Sequence, residues 1–254
     1  MSHLEELTLY LNILGGPIFI DGNHLDNRIL IHMPQLHTFT YYISTENAIT
    51  DPVIHPSNAD IQRTFKNANH GKVSCMVDYF DCFVVMCHVF SLPFKFNRLK
   101  DITNNFPNML FNTVTYLMVR DKVGFKHEFF VRLARSFPFV KHLSVSNIRS
   151  PFLKFDERHL INDDWSSIVK YAHLISLDIE NVNSHYIEHF LNETKTHLPC
   201  LIQLKIRYNL LEIVTQNFTR DATRCNCAKV KRLIVKDSIV YSKDVYRYFP
   251  SLSI

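Results

Sequence analysis

The segment His185-Tyr186-Ile187-Glu188-His189 has the spacing of an inverted zinc-peptidase motif, two imidazoles four residues apart with a carboxylate before the second. On a helix the two rings fall one turn apart and can share a Zn²⁺, with Glu188 as general base and a remote acid such as Glu212 as third ligand. The same helix carries an apolar stripe at Ile187, Phe190, Leu191 and Thr194, which predicts both histidines on the solvent side. With 14 histidines in the chain, a chance match is easy, and zinc hydrolysis stands as an alternative to plain surface histidines. His127-Glu128-Phe129-Phe130-Val131 opens like a second zinc pattern but lacks its second histidine. Cys225-Asn226-Cys227 has no partner pair at zinc spacing, so ordinary thiols are expected there. Asn192-Glu193-Thr194 and Asn217-Phe218-Thr219 match the glycosylation sequon by coincidence, and no phosphate-cradling glycine motif occurs. No cofactor is expected.

Composition narrows the class. The 254 residues are 46% hydrophobic and 20% charged, enough apolar material for a sizeable core. A net charge of +4 is far from a dedicated nucleic-acid footprint, so nucleic acid is not an expected partner. The Met1 to Glu6 start has no basic-then-apolar signal pattern, and the most apolar run, Phe83 to Phe90, is far short of a membrane helix. A cytoplasmic or nuclear protein with its six cysteines reduced is expected.

What must position any site is a repeat. One phrase recurs: an apolar residue, often Pro, a variable residue, an apolar anchor, two variable residues, Leu, one variable residue, then Val or Ile. Its anchors are Val114, Leu117, Val119; Val140, Leu143, Val145; Leu174, Leu177, Ile179; Leu201, Leu204, Ile206; and Val230, Leu233, Val235. Leu4, Leu7, Leu9 and the segment Met33 to Phe39 are further copies, and Phe249 to Leu252 opens another. First anchors from Val114 onward lie roughly 22 to 34 residues apart, against about 20 to 29 for leucine-rich repeats. In a strand the last two anchors point together into a core while their neighbours face out.

Helix-period segments fill the intervals, as at Phe129, Phe130, Leu133 and Ala134. Ser184, Asp163 and Ser242 are expected helix caps. The predicted fold class is α/β: a leucine-rich-repeat-like solenoid, or horseshoe, with a curved parallel sheet and helices on the convex side. A single array over 1–254 is expected, with an irregular insertion at about 44–105. That insertion holds a polar stretch (Ser44 to Asn58), a short helix (Ile61 to Asn67) and two strands (Val73 to Phe80, Phe83 to Phe90) turning at Asp81-Cys82. Because Leu4, Leu7, Leu9 and Leu11 arrive before any capping helix, an N-terminally truncated array is expected.

Alternation places Tyr116, Met118, Arg120, His142, Ser144, Ser146, Ser176, Asp178, Glu180, Gln203, Lys205, Arg207, Arg232, Ile234 and Lys236 on the outward face. This is the expected protein-binding surface. Its last two strands form a basic patch that suits an acidic or phosphorylated partner.

Longer phrases carry a family likeness: SHLEELTLYL (Ser2 to Leu11), MPQLHTFTYYI (Met33 to Ile43), CMVDYFD (Cys75 to Asp81), FKHEFFVRLARSFPFVKHLSVSNI (Phe125 to Ile148), HLISLDIE (His173 to Glu180), HFLNETKTHLP (His189 to Pro199) and KVKRLIVKDSIVYSKDVYRYFPSLS (Lys229 to Ser253). The chain resembles F-box proteins with a divergent C-terminal leucine-rich-repeat-like array. The resemblance implies a non-catalytic module, the substrate-recognition repeats of a ubiquitin-ligase receptor. No F-box segment occurs in these residues. A cullin-type ligase adaptor is an expected partner only if an F-box precedes Met1, and a scaffold without a ligase link is the alternative.

Overall fold

Strands of three to five residues cannot hold together alone, and the chain stabilises them by laying consecutive copies side by side. The computed structural model describes residues 3–16, 19–48, 56–67, 71–80, 84–151, 167–236 and 240–253. The chain forms an α/β fold of two compact units, Met1–Phe96 with Asn105–Pro107, and Asn97–Asn104 with Asn108–Ile254.

Unit 1 holds strands β1 (Glu6–Gly16), β2 (Thr38–Ala48), β3 (Lys72–Tyr79) and β4 (Val84–Leu92), with helices α1 (Gly22–Arg28) and α2 (Asn58–Gln62). The sheet order is β1-β2-β4-β3, parallel between the first two strands and antiparallel in the other pairs. Alternation splits β2 between two faces: Phe39, Tyr41 and Ile43 join a core with Leu25, Leu30 and Leu36, while Tyr42 meets the rings of Tyr10, Phe90, Phe94 and Phe96. The expected polar stretch is partly strand, since Ser44, Thr45 and Asn47 are buried in β2. The expected helix at Ile61 to Asn67 starts earlier, because Ser57 and Asp60 form a reciprocal capping box. The strand pair at 73–90 is as predicted; its turn lies outside the described residues.

Gly22 opens α1 against the backbone of residues 64 and 65: an added Cβ would lie 2.4 Å from the Thr64 carbonyl oxygen and 2.7 Å from the Phe65 nitrogen. Alanine gains about 1 kcal/mol of helix propensity, but overpacking against backbone costs up to about 3 kcal/mol. Gly22→Ala should therefore lose about 2 kcal/mol; an unchanged melting temperature would contradict the packing.

Unit 2 contains β5 (Arg98–Ile102), β6 (Tyr116–Arg120), α3 (His127–Ser136), β7 (His142–Ser146), β8 (Val169–Lys170), β9 (Ser176–Ile179), α4 (Ser184–Leu191), β10 (Thr196–His197), β11 (Gln203–Ile206), α5 (Tyr208–Thr215), α6 (Arg224–Cys227), β12 (Arg232–Ile234) and α7 (Lys243–Tyr248). Six strands form one parallel sheet in the order β12-β11-β9-β7-β6-β5, and β8 pairs with β10. The repeat leucines stand in register, Leu99, Leu117, Leu143, Leu177, Leu204 and Leu233. All but Leu233 are buried.

The residues leading into each phrase make a recurring turn, with Pro second in three of the six (Pro138, Pro199 and Pro250). Val114, Val140, Leu174, Leu201, Val230 and Leu252 each donate a backbone N–H to the residue three before, Phe111, Phe137, Tyr171, Leu198, Cys227 and Phe249, at 3.0–3.4 Å. Those six acceptor residues are buried, so each turn is pinned from below by its own apolar foot. The next two residues then donate to the preceding strand: Lys141 and His142 to Thr115, Ile175 and Ser176 to Lys141, Ile202 and Gln203 to Ile175, Lys231 and Arg232 to Ile202.

The predicted cap Ser184 is replaced by Asn183, whose Oδ1 accepts from the His185 N–H. Ser242 precedes α7 as expected. Asp163 lies outside the described residues.

Candidate functional site

Register sets the outward residues of unit 2 in rows. The first row is Arg98, Tyr116, His142, Ser176, Gln203, Arg232, and the second is Met118, Ser144, Asp178, Lys205, Ile234. Tyr116 is the centre of the aromatic end: the Arg98 guanidinium lies 4.5 Å over its ring, and the His142 ring is 6.3 Å away. Gln203 donates to the Ser176 hydroxyl at 3.2 Å. Arg120, at the end of β6, pairs with Asp101 at 2.6 Å. Asp101 reaches it because a bulge between Leu99 and Ile102 holds that residue at φ 57°.

The basic patch is smaller than the sequence predicts. Lys205 reaches across to Glu180 at 2.8 Å and Asp178 at 3.2 Å. Its hydrogen bond to Glu180 holds the ammonium above its usual range, and its charge is neutralised by those carboxylates. Arg207 donates to the Val182 carbonyl at 2.6 Å. Arg207 and Glu180 lie just past the ends of β11 and β9, and Lys236 sits in a bend beyond β12. Of the predicted patch, Arg232 and Lys236 remain exposed with no carboxylate partner described. Arg98 and β5 escape the sequence reading, since the bulge breaks the Leu-x-Val spacing that marks the other strands.

The histidine motif is arranged differently from expectation. His185 is exposed, with its Nδ1 2.7 Å from the Asn183 Oδ1, but His189 is 4% exposed, against the prediction that both face solvent. Its ring stacks on Phe130 at 4.5 Å and meets His127 edge-on at 5.4 Å. The reason is that α4 is buried on two sides: Tyr186 and His189 pack on the aromatic residues of α3, while Ile187, Phe190 and Leu191 are buried as well. A single-stripe reading counts one side only. Thr194 lies beyond the helix, where Asn192 accepts its N–H and hydroxyl.

Burial lowers the His189 pKa to about 3, helped by His127 and Lys195. Burial works to raise the Glu188 pKa, but hydrogen bonds from Arg220 and Asn192 outweigh it and hold the carboxyl below its usual range. Glu188 is thus tied to Arg220, Asn192 and Lys195, a poor arrangement for a general base. Among the described residues, no group of three or more His, Cys, Asp or Glu is placed to hold a metal ion. The Cys-Asn-Cys segment is likewise divided: Cys225 is exposed and Cys227 is a buried turn foot.

Comparison with protein families, curated proteins and solved structures found no match for the chain. No helix among the described residues is long and apolar enough to cross a membrane.

Proposed function

We propose that the chain is a non-catalytic protein-interaction module whose unit 2 is a leucine-rich-repeat-like array. In this reading it serves as the substrate-recognition repeats of an F-box-type ubiquitin-ligase receptor. The observation that carries the interaction role is the in-register sheet, which sets equivalent outward residues of six strands side by side. The row through Arg98, Tyr116 and His142 offers the rigid aromatic and cationic contacts that dominate protein interfaces.

The test is affinity capture from cell extract, followed by direct binding of each captured protein to purified chain. Replacing Tyr116 and His142 together with glutamate should weaken partner binding at least tenfold while circular dichroism is unchanged. Retention of every partner at wild-type affinity sinks the face as the binding surface. Recovery of a cullin adaptor with an N-terminally extended form separates the ligase reading from a scaffold without that link.

A further inference from the structure

A groove of about 500 Å³ crosses the turns that lead into the strands of unit 2. Lys141, Ile175, Ile202 and Lys231 all line it. They occupy equivalent positions in four consecutive repeats, each donating its backbone N–H to the repeat before. The row therefore reads Lys-Ile-Ile-Lys, two aliphatic side chains with an ammonium at either end.

Lys229 and Cys200 line the same groove one step earlier in the turns, and the Lys229 Nζ donates to the Pro199 carbonyl at 2.9 Å. The three lysines are exposed, and no carboxylate is among the lining residues described. Lys205 on the outward face, in contrast, is neutralised by two carboxylates. Ile202 is 39% exposed, and Phe139 beside the groove is 47% exposed with its ring against His173. An apolar strip between uncompensated cations is the complement of an apolar segment between anions.

We propose that this groove docks an extended peptide segment of a partner protein, two aliphatic side chains flanked on both sides by Asp or Glu. Neighbouring strands lie about 4.8 Å apart, so the four-repeat row spans about 14 Å, or roughly four residues of extended chain. The aliphatic side chains fill the strip between Ile175 and Ile202, and the carboxylates meet Lys141 at one end and Lys231 with Lys229 at the other. This site is separate from the outward face and goes beyond the function proposed for it.

The probes are two fluorescein-labelled nonapeptides with the same central Leu-x-Ile, one flanked by glutamates and one by lysines, read by anisotropy on the intact chain. The acidic peptide should bind at least tenfold tighter than the basic one and weaken as salt is raised. Lys141→Glu with Lys231→Glu should cost at least tenfold, with circular dichroism checking the fold, and Ile202→Ser should weaken binding without changing its salt dependence. Saturating acidic peptide should slow iodoacetamide alkylation of Cys200 and leave exposed Cys225 unaffected.

Equal affinity for the two peptides, unprotected Cys200, or wild-type binding by the folded lysine double variant overturns the proposal. So does poly-glutamate competing as well as the peptide, which means charge alone, or Cys200 protection that rises with protein concentration without peptide, which means a second copy fills the groove. Tyr116→Ala with His142→Ala, which adds no charge beside Lys141, should bind the peptide normally, so failure of the outward face and failure of the groove are distinguishable.

Discussion

Replacement of Asn226 by leucine should destabilise unit 2 by about 4 kcal/mol. Asn226 is 2% exposed on α6. Its amide nitrogen donates to the carbonyls of Phe190, Leu191 and Thr196 at 3.1, 3.2 and 2.7 Å, and its oxygen accepts from the Leu198 N–H at 3.0 Å. Two of those carbonyls belong to the last turn of α4, where the helix has no donors of its own. The side chain of one repeat thus caps the helix of the repeat before it and fixes the chain leading out through β10.

Leucine fills the volume but leaves several buried backbone groups without a partner, each costing about 1–3 kcal/mol. Aspartate is no rescue, since an ionised carboxylate cannot donate to three carbonyls. Urea unfolding followed by circular dichroism measures the loss; a change under about 1 kcal/mol would falsify the capping role.

The second large effect is with pH. His189 titrates near its ordinary 6.5 when unfolded and at about 3 when folded. Between those values the unfolded chain binds the extra proton, so stability is fully present above pH 6.5 and falls as the pH drops towards 3. The loss from pH 7 to pH 4.5 should be on the order of 2–3 kcal/mol. Glu188, with its lowered pKa, adds acid sensitivity only below the ordinary carboxylate range. His127, His185, Lys126 and Lys195 line the same pocket, so the His189 share must be isolated by substitution. His189→Phe keeps an aromatic ring against Phe130 and removes the titration, and its stability should vary less between pH 7 and 4.5 than the wild type's. Parallel pH profiles for the two proteins would show that His189 carries none of the effect.

The strands of unit 2 are readable because a two-residue alternation, led by Pro in the copies at Leu143 and Leu204, leaves a plain mark: the anchors at Leu117, Leu143, Leu177 and Leu204 are core residues of adjacent strands. β5 was hidden, since its bulge puts two residues between Leu99 and Ile102 where Leu117 and Val119 have one between them. Burial of His189 escaped notice because periodicity along one helix does not report how many neighbours that helix has. Asn226 carries no pattern of its own: it stands between two cysteines, and the backbone groups its amide holds lie 28 to 36 residues away in sequence. The Lys-Ile-Ile-Lys row exists only across four repeats, at residues 34, 27 and 29 apart in sequence, and unequal spacing conceals it until the strands are stacked.

The chained turns, each donating to the one before, also shape how the molecule comes apart. The backbone donations run between adjacent strands, while the aromatic contacts of α3 with α4 join the connections after β6 and β9 across β7 and hold the middle of the sheet. Amide hydrogen exchange should therefore be graded along the sheet, slowest at β7 and β9 and fastest at β12, whose Leu233 is only half-buried. A break at Asn226 should open the β11–β12 end while the amides of β6 and β7 stay protected. Exchange at the β11–β12 end then reads local opening, while urea unfolding reads the stability of the whole unit.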